Sequence, residues 1–132
     1  AKSQFDRGAD VVFAAAGGTG IGVYQAAKDN GKYAIGVDSN QNYLHPGTML
    51  TSMLKRVDVA AYNVFKSAND GSWKSGIQVL GLKEGGIDWA LDEHNKNLIS
   101  PAMKAAVEKA KASIIAGEIS VHDYMSDNKC PK

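Results

Sequence analysis

The sequence predicts an α/β fold, a Rossmann-like lobe in which a parallel sheet is flanked by helices. Three observations carry this. Val11-Val12-Phe13-Ala14-Ala15-Ala16 and Tyr33-Ala34-Ile35-Gly36-Val37-Asp38 are apolar runs of strand length. Between them stand a glycine turn, Gly17-Gly18-Thr19-Gly20, and a segment long enough for a helix. The order strand, turn, helix, strand closes most readily as a right-handed βαβ unit with parallel strands.

Taken in order, Asp10 to Ala16 is expected as a buried strand because its apolar run is continuous. A helix follows from about Ile21 to Asn30, with Gly31 as its left-handed cap. Tyr33 to Asp38 is the second buried strand, and Asn40 to Gly47 is a polar loop containing Pro46. A short strand, Met49 to Met53, leads into a helix from about Asp58 to Asn69. There Val57, Ala61, Val64, Phe65 and Ala68 recur at helical spacing, and Gly71 ends the run. Gly76 to Leu82 and Ile87 to Leu91 read as two strands of a hairpin turned through Lys83-Glu84-Gly85-Gly86. Ser100 followed by Pro101 starts the last helix, whose stripe is Met103, Val107, Ala110 and Ile114, and Gly117 closes it. From Val121 onward a peripheral tail is expected. Only two strands show the parallel pattern, whereas a parallel sheet needs more strands and cover on both faces. The lobe is therefore expected to be incomplete, a piece of a longer protein, and its open edges predict self-association.

The 132 residues amount to one domain, 44% hydrophobic and 22% charged, which excludes a disordered or fibrous chain. Fifteen basic against fourteen acidic residues leave a net charge of +1 and no electrostatic footprint for nucleic acid or an anionic membrane. The longest apolar run, Val11 to Ala16, falls far short of the roughly 18 residues of a membrane span. Ala1-Lys2-Ser3-Gln4 has no signal-peptide pattern. The lone Cys130 cannot form an internal disulfide and has no metal-ligand partner at useful spacing, so an exposed tail thiol is expected. His94 and His122 stand in polar segments without ligand spacing, and no metal is expected. Trp73, Trp89 and Phe13 are expected in core or sheet-edge packing rather than in a cleft. No Ser, His and Asp combination suggests catalysis, so the chain reads as a binding protein, not an enzyme.

The glycine turn admits two chemical readings. With Asp38 about twenty residues on, it has the layout of a dinucleotide-binding fingerprint. A G-x-G-x-x-G begun at Gly18, however, puts Val23 where the third glycine belongs. The Tyr-x-x-x-Lys of a short-chain reductase is matched by Tyr24 with Lys28 and by Tyr62 with Lys66, both inside expected helices. An NAD(P)-dependent reductase is thus an alternative that the spacing weakens, and no cofactor is expected. The second reading needs no particular ligand. Gly17 and Gly18 bring backbone N–H groups to a helix N-terminus, and Asp38 ends the neighbouring strand on the same rim, where open α/β sheets bind ligands. A carboxylate that accepts two hydroxyl hydrogens, with donors nearby, suits a polyol such as ribose.

Ala9-Asp10-Val11-Val12-Phe13-Ala14-Ala15-Ala16-Gly17-Gly18-Thr19-Gly20 resembles a segment of the basic membrane protein family of bacterial lipoproteins, which includes the purine nucleoside receptor. So do Ile35-Gly36-Val37-Asp38-Ser39-Asn40-Gln41 and Leu50-Thr51-Ser52-Met53-Leu54-Lys55-Arg56-Val57-Asp58, in the family's order and spacing. Weaker likeness runs through Gly81 to Gly86 and Ile99 to Val121. Asn40 stands where family members commonly carry Asp. The resemblance implies a type I periplasmic-binding-protein fold, with two α/β lobes, a hinge, and a nucleoside, purine preferred, held between them for an ABC transporter permease. It implies that residues 1–132 are most of the C-terminal lobe, without the N-terminal lobe and without the opening strand and helix of their own lobe. A periplasmic or cell-surface lipoprotein is implied for the full-length parent, with Cys130 not the lipidated residue. On the same fold, a ligand-sensing module without a transporter is a further alternative. Mapped onto this sequence, Gly17 and Gly18 resemble the turn against which base and sugar lie. Asp38 and Lys55 resemble the pair that holds the ribose hydroxyls, with Ser39, Gln41 and Ser52 in second rank.

Overall fold

The structure, a computed structural model, describes residues 1–130. Residues 1–100 form one compact unit, and the segment from Pro101 onward forms another. In the first unit a four-stranded sheet has the order β1-β2-β3-β4, with β1 at Val11–Phe13, β2 at Tyr33–Gly36, β3 at Met49–Lys55 and β4 at Ile87–Trp89. The first three strands are parallel and β4 runs antiparallel to β3, pairing Met53 with Trp89 and Lys55 with Ile87.

The expected βαβ unit is present. Gly17–Thr19 makes a single 3-10 turn that runs straight into helix α2, Gly20–Asp29. Gly31 then takes φ +60, a left-handed conformation that costs glycine little, and the Lys32 N–H closes back on the Ala27 carbonyl at 2.9 Å. One face of the sheet packs on α2 and on a short helix, α1 (Lys2–Asp6), through Phe5, Ala14, Tyr24, Ala27, Ala34 and Met49. The sequence reading missed α1, because five residues are too few to show a period.

Three expectations need correction. β1 is shorter than Asp10 to Ala16, and it is not buried throughout: Val12 faces the core, while Val11 is 40% and Phe13 52% exposed. The described helices of this unit that pack on β1, namely α1 and α2, do so on the Val12 side, so the alternate side chains of the apolar run stay open. Second, the strand expected at Met49 to Met53 runs on to Lys55 and joins the sheet as a third parallel member, where only two strands show the parallel pattern in the sequence. Third, Gly76 to Leu82 forms no strand. The turn at 81–86 does close, with Gly86 N–H on the Gly81 carbonyl at 2.9 Å, but the edge of β3 is taken by β4. Residues 76–80 find no ladder among the described residues, and Ile77 is 98% exposed.

Helix α3, Val57–Asp70, begins directly after β3 and ends at Gly71 with φ +75. Its apolar stripe is open, with Val57 and Phe65 at 70% and 76% exposure. The chain leaves the sheet at β3 and returns at β4, and the two passages touch where the Arg56 N–H donates to the Gly86 carbonyl at 2.8 Å. In the second unit, α4 (Pro101–Ile115) starts at the expected proline and closes through Gly117, φ +79, and a short helix α5 covers Tyr124–Asp127. Cys130 is exposed, as expected. Among the described residues no helix is long and apolar enough to cross a membrane.

Candidate functional site

Three adjacent parallel strands bring their carboxyl ends to one rim of the sheet. β1 runs into Gly17–Thr19, β2 into Val37 to Gln41, and β3 ends on Lys55. Topology therefore gathers Gly17, Gly18, Asp38 and Lys55 along that rim, where a crevice outside strand ends can take a ligand. A Cβ built on Gly17 or Gly18 would meet nothing within 4 Å, so the space before the turn is open. Gly17 also has φ +52, which a larger side chain would strain. Both residues open the 3-10/α2 unit, where the first N–H groups lack intrahelical acceptors and can serve a ligand.

Asp38 and Lys55 are in direct contact. The Lys55 Nζ lies 2.8 Å from Asp38 Oδ1, with side-chain exposures of 60% and 47%. Oδ1 is itself shielded from solvent and accepts no hydrogen bond of good geometry, so this contact is an ion pair held off the ideal line. The rest of the carboxylate stays open to the rim. Asp38 also has φ +72, an unusual conformation for a residue with a Cβ. Such a conformation persists only where its surroundings fix it.

The residues after Asp38 are fixed one by one. Ser39 N–H bonds the Val37 carbonyl at 2.9 Å. Gln41 N–H donates to Ser52 Oγ at 3.0 Å, and Ser52 Oγ donates to Asn42 Oδ1 at 2.8 Å. Tyr24, fully buried on α2, donates its phenol to Gln41 Oε1 at 2.6 Å. Asn40 and Asn42 both reach Asp92 Oδ2, at 2.6 and 3.0 Å. Gly36 makes this closeness possible, since a Cβ there would stand 2.7 Å from Ser52 Oγ. Burial raises the Tyr24 phenol above its ordinary range, the nearby Asp38 charge adds to this, and a hydrogen bond from Val37 partly opposes it. A reductase tyrosine needs the opposite tuning and a free hydroxyl, so Tyr24 and Lys28 do not make that motif. Tyr62, on α3, is exposed.

The other side chains of interest lie outside this rim. Trp73, expected in packing, is exposed, and Trp89 is half-buried in β4. His122 has the Lys129 carbonyl 2.7 Å away and Asp127 at 3.3 Å, and among the described residues no group of three ligating side chains could hold a metal. A concavity of about 370 Å³ lies elsewhere, along the open side of β1 and α1, lined by Gln4, Arg7, Ala9, Val11, Val12 and Phe13. Asn42, Asp92 and Asn95 were missed by sequence reasoning. The recurrence of Asn and Asp in two separate loops was the available signal, but their meeting across about fifty residues was not readable.

Against known proteins, a family model described as "ABC transporter substrate-binding protein PnrA-like" matches residues 1–124. Basic membrane protein D of Borreliella burgdorferi is 38% identical over 125 residues, covering 92% of this chain and 36% of its own length. The ABC transporter nucleoside-binding protein BmpA of Lactococcus lactis is 34% identical, covering 92% of this chain and 38% of its own. Among solved structures, an ABC transporter solute-binding protein of Aeropyrum pernix superposes with a TM-score of 0.73 at 28% identity, covering 92% of this chain and 42% of that one. The chain thus spans less than two fifths of the length of these two curated relatives.

Proposed function

The chain belongs to the Bmp family of PnrA-like ABC transporter substrate-binding proteins, and from that premise we propose that it is most of the C-terminal lobe of a two-lobed nucleoside receptor. The observation that carries the reading is the half-exposed pair Asp38–Lys55, 2.8 Å apart, on the rim shared with an open glycine turn. A ribose diol suits it: the carboxylate accepts from two hydroxyls while the ammonium donates to one of their oxygens. The amides of Gly17 and Gly18 line the floor, and the absence of Cβ atoms lets a flat base or sugar lie close. A purine nucleoside is the preferred ligand. Closure of the N-terminal lobe over this rim would complete the cleft, and an ABC permease would receive the ligand. In the full-length parent, membrane attachment as a lipoprotein outside the cytoplasm fits this role.

Calorimetric titration of adenosine, guanosine, uridine and cytidine into the complete parent protein, with NADH as control, tests the reading. One-to-one nucleoside binding that is lost in Asp38→Ala, with an unchanged circular dichroism spectrum, is expected. Absence of nucleoside binding would overturn the receptor reading, and unchanged affinity in Asp38→Ala would overturn the site.

A further inference from the structure

We infer that Asp92 is a positioning residue for this rim, holding residues 38–42 in the conformation that presents the Asp38 carboxylate. The inference rests on the proposed binding site. Its starting point is the left-handed backbone of Asp38, φ +72, which needs its neighbours to hold it. Downstream of Asp38, Asn40 and Asn42 are both tethered to a single carboxylate oxygen, Asp92 Oδ2, at 2.6 and 3.0 Å. The other oxygen, Oδ1, accepts the His94 N–H at 2.7 Å.

Asp92 is in turn placed by the sheet. Asn95 is fully buried, and its Oδ1 accepts the Asp92 N–H at 2.8 Å. Its Nδ2 donates to the Leu50 carbonyl on β3 at 2.7 Å and to the Ala90 carbonyl at 2.9 Å. A chain of hydrogen bonds therefore runs from the sheet through Asn95 and Asp92 to the loop that carries Asp38. Three N–H donors converge on two oxygens and none of these contacts offers an acceptor for a carboxyl proton, an arrangement that favours the ionised carboxylate. Burial pushes the Asp92 carboxyl up, but the bonds from Asn40, His94 and Asn42 outweigh it and hold it below the usual range. Asn42 has a further anchor: its Oδ1 accepts from Ser52, and its N–H donates to Asn40 Oδ1 at 3.0 Å. Loss of Asp92 leaves that inner bond in place and frees the outer tether, so local loosening is expected without unfolding.

The test uses the complete parent protein in three forms: unaltered, Asp92→Ala and Asp92→Asn. Amide hydrogen exchange is read at Gln41 and Asn42, with Ala34 as core reference, and adenosine affinity is measured in parallel. In Asp92→Ala, exchange at Gln41 and Asn42 should accelerate at least tenfold while Ala34 is unmoved, and adenosine should bind at least tenfold more weakly. Asp92→Asn should recover part of both, because its one amide oxygen can still accept from Asn40 and Asn42. Unchanged exchange at Gln41 and Asn42 would overturn the inference, as would faster exchange that includes Ala34, or a loosened loop with undiminished affinity. If the unaltered protein binds no nucleoside, the receptor reading fails, and the exchange data alone decide whether Asp92 holds the loop. Should Asp92→Ala not fold, Asn40→Ala removes one of the two tethers and is read at Gln41 and in adenosine affinity alone, because it also takes away the Oδ1 that accepts the Asn42 N–H.

Discussion

Asp38 and Lys55 are joined twice: the Lys55 N–H donates to the Asp38 carbonyl at 2.8 Å, and the Lys55 ammonium lies 2.8 Å from the Asp38 carboxylate. The backbone bond extends the pairing of β2 and β3 past the last strand residue and fixes how far apart the two side chains begin. The side-chain pair is half-exposed, so it contributes about 0–1 kcal/mol to stability. Its value lies in presenting an acceptor and a donor side by side.

Substitution of Asp38 by glycine separates stability from binding. Glycine at φ +72 relieves a left-handed penalty of roughly 1–2 kcal/mol, which offsets the lost ion pair. The urea midpoint should stay level or rise while nucleoside affinity is lost. A fall in both would mark Asp38 as structural.

Gly36→Ala should destabilise the unit by about 1–3 kcal/mol, because the new Cβ would lie 2.7 Å from Ser52 Oγ and 3.2 Å from Gln41 Oε1. Both neighbours are tied into the network behind Asp38, so the strain reaches the rim. Denaturant titration checks the size of the effect.

Tyr24→Phe removes a phenol that donates to Gln41 Oε1 at 2.6 Å and leaves that oxygen without its buried donor. The expected cost is about 1–3 kcal/mol. Phe fits the same space, so a smaller change would show that water reaches the gap.

Asp58, in the first turn of α3, accepts from Arg56 Nη2 at 2.8 Å and from its Nε at 3.0 Å. The Arg56 hydrogen bonds hold its carboxyl down to about 2, against an opposing effect of desolvation. A depressed carboxyl favours the folded state above its unfolded value of ~3.9. That contribution fades as the pH falls through about 2. Carbonyl NMR should place the Asp58 titration there, and Arg56→Ala should move it up toward the ordinary range, the backbone N–H bonds of Asp58 and Val59 remaining.

The apolar stripe of α3 favours self-association of the chain by itself, with Phe65 76% and Val57 70% exposed. Light scattering should report species larger than a monomer, shifted toward monomer by Phe65→Glu. A monomer at all concentrations would refute this.

The glycines marked the ends of elements faithfully. Gly31, Gly71 and Gly117 all take positive φ just after α2, α3 and α4, because the only information such an end needs is local. The βαβ order and the rim position of Asp38 were legible for the same reason. Burial was less so: Phe13 and Phe65 have core chemistry but lie exposed, since whether a side chain is covered depends on distant segments. Likewise Gly76 to Leu82 has a strand's composition but pairs with no strand among the described residues. The contact of Asn40 with Asp92 joins two polar loops whose meeting depends on β4 pairing with β3, and no short-range pattern encodes that.

The bond between the Arg56 N–H and the Gly86 carbonyl brings the outgoing and returning chain together at the sheet border. What lies between them is a side excursion clasped at its base. The strand register does not read its length, and the entropy of closing such a loop rises only with the logarithm of its size. Residues added or removed near Ser75 would leave the Asp38 rim undisturbed, which makes that stretch a natural place to attach a tag or a surface tether without altering ligand binding.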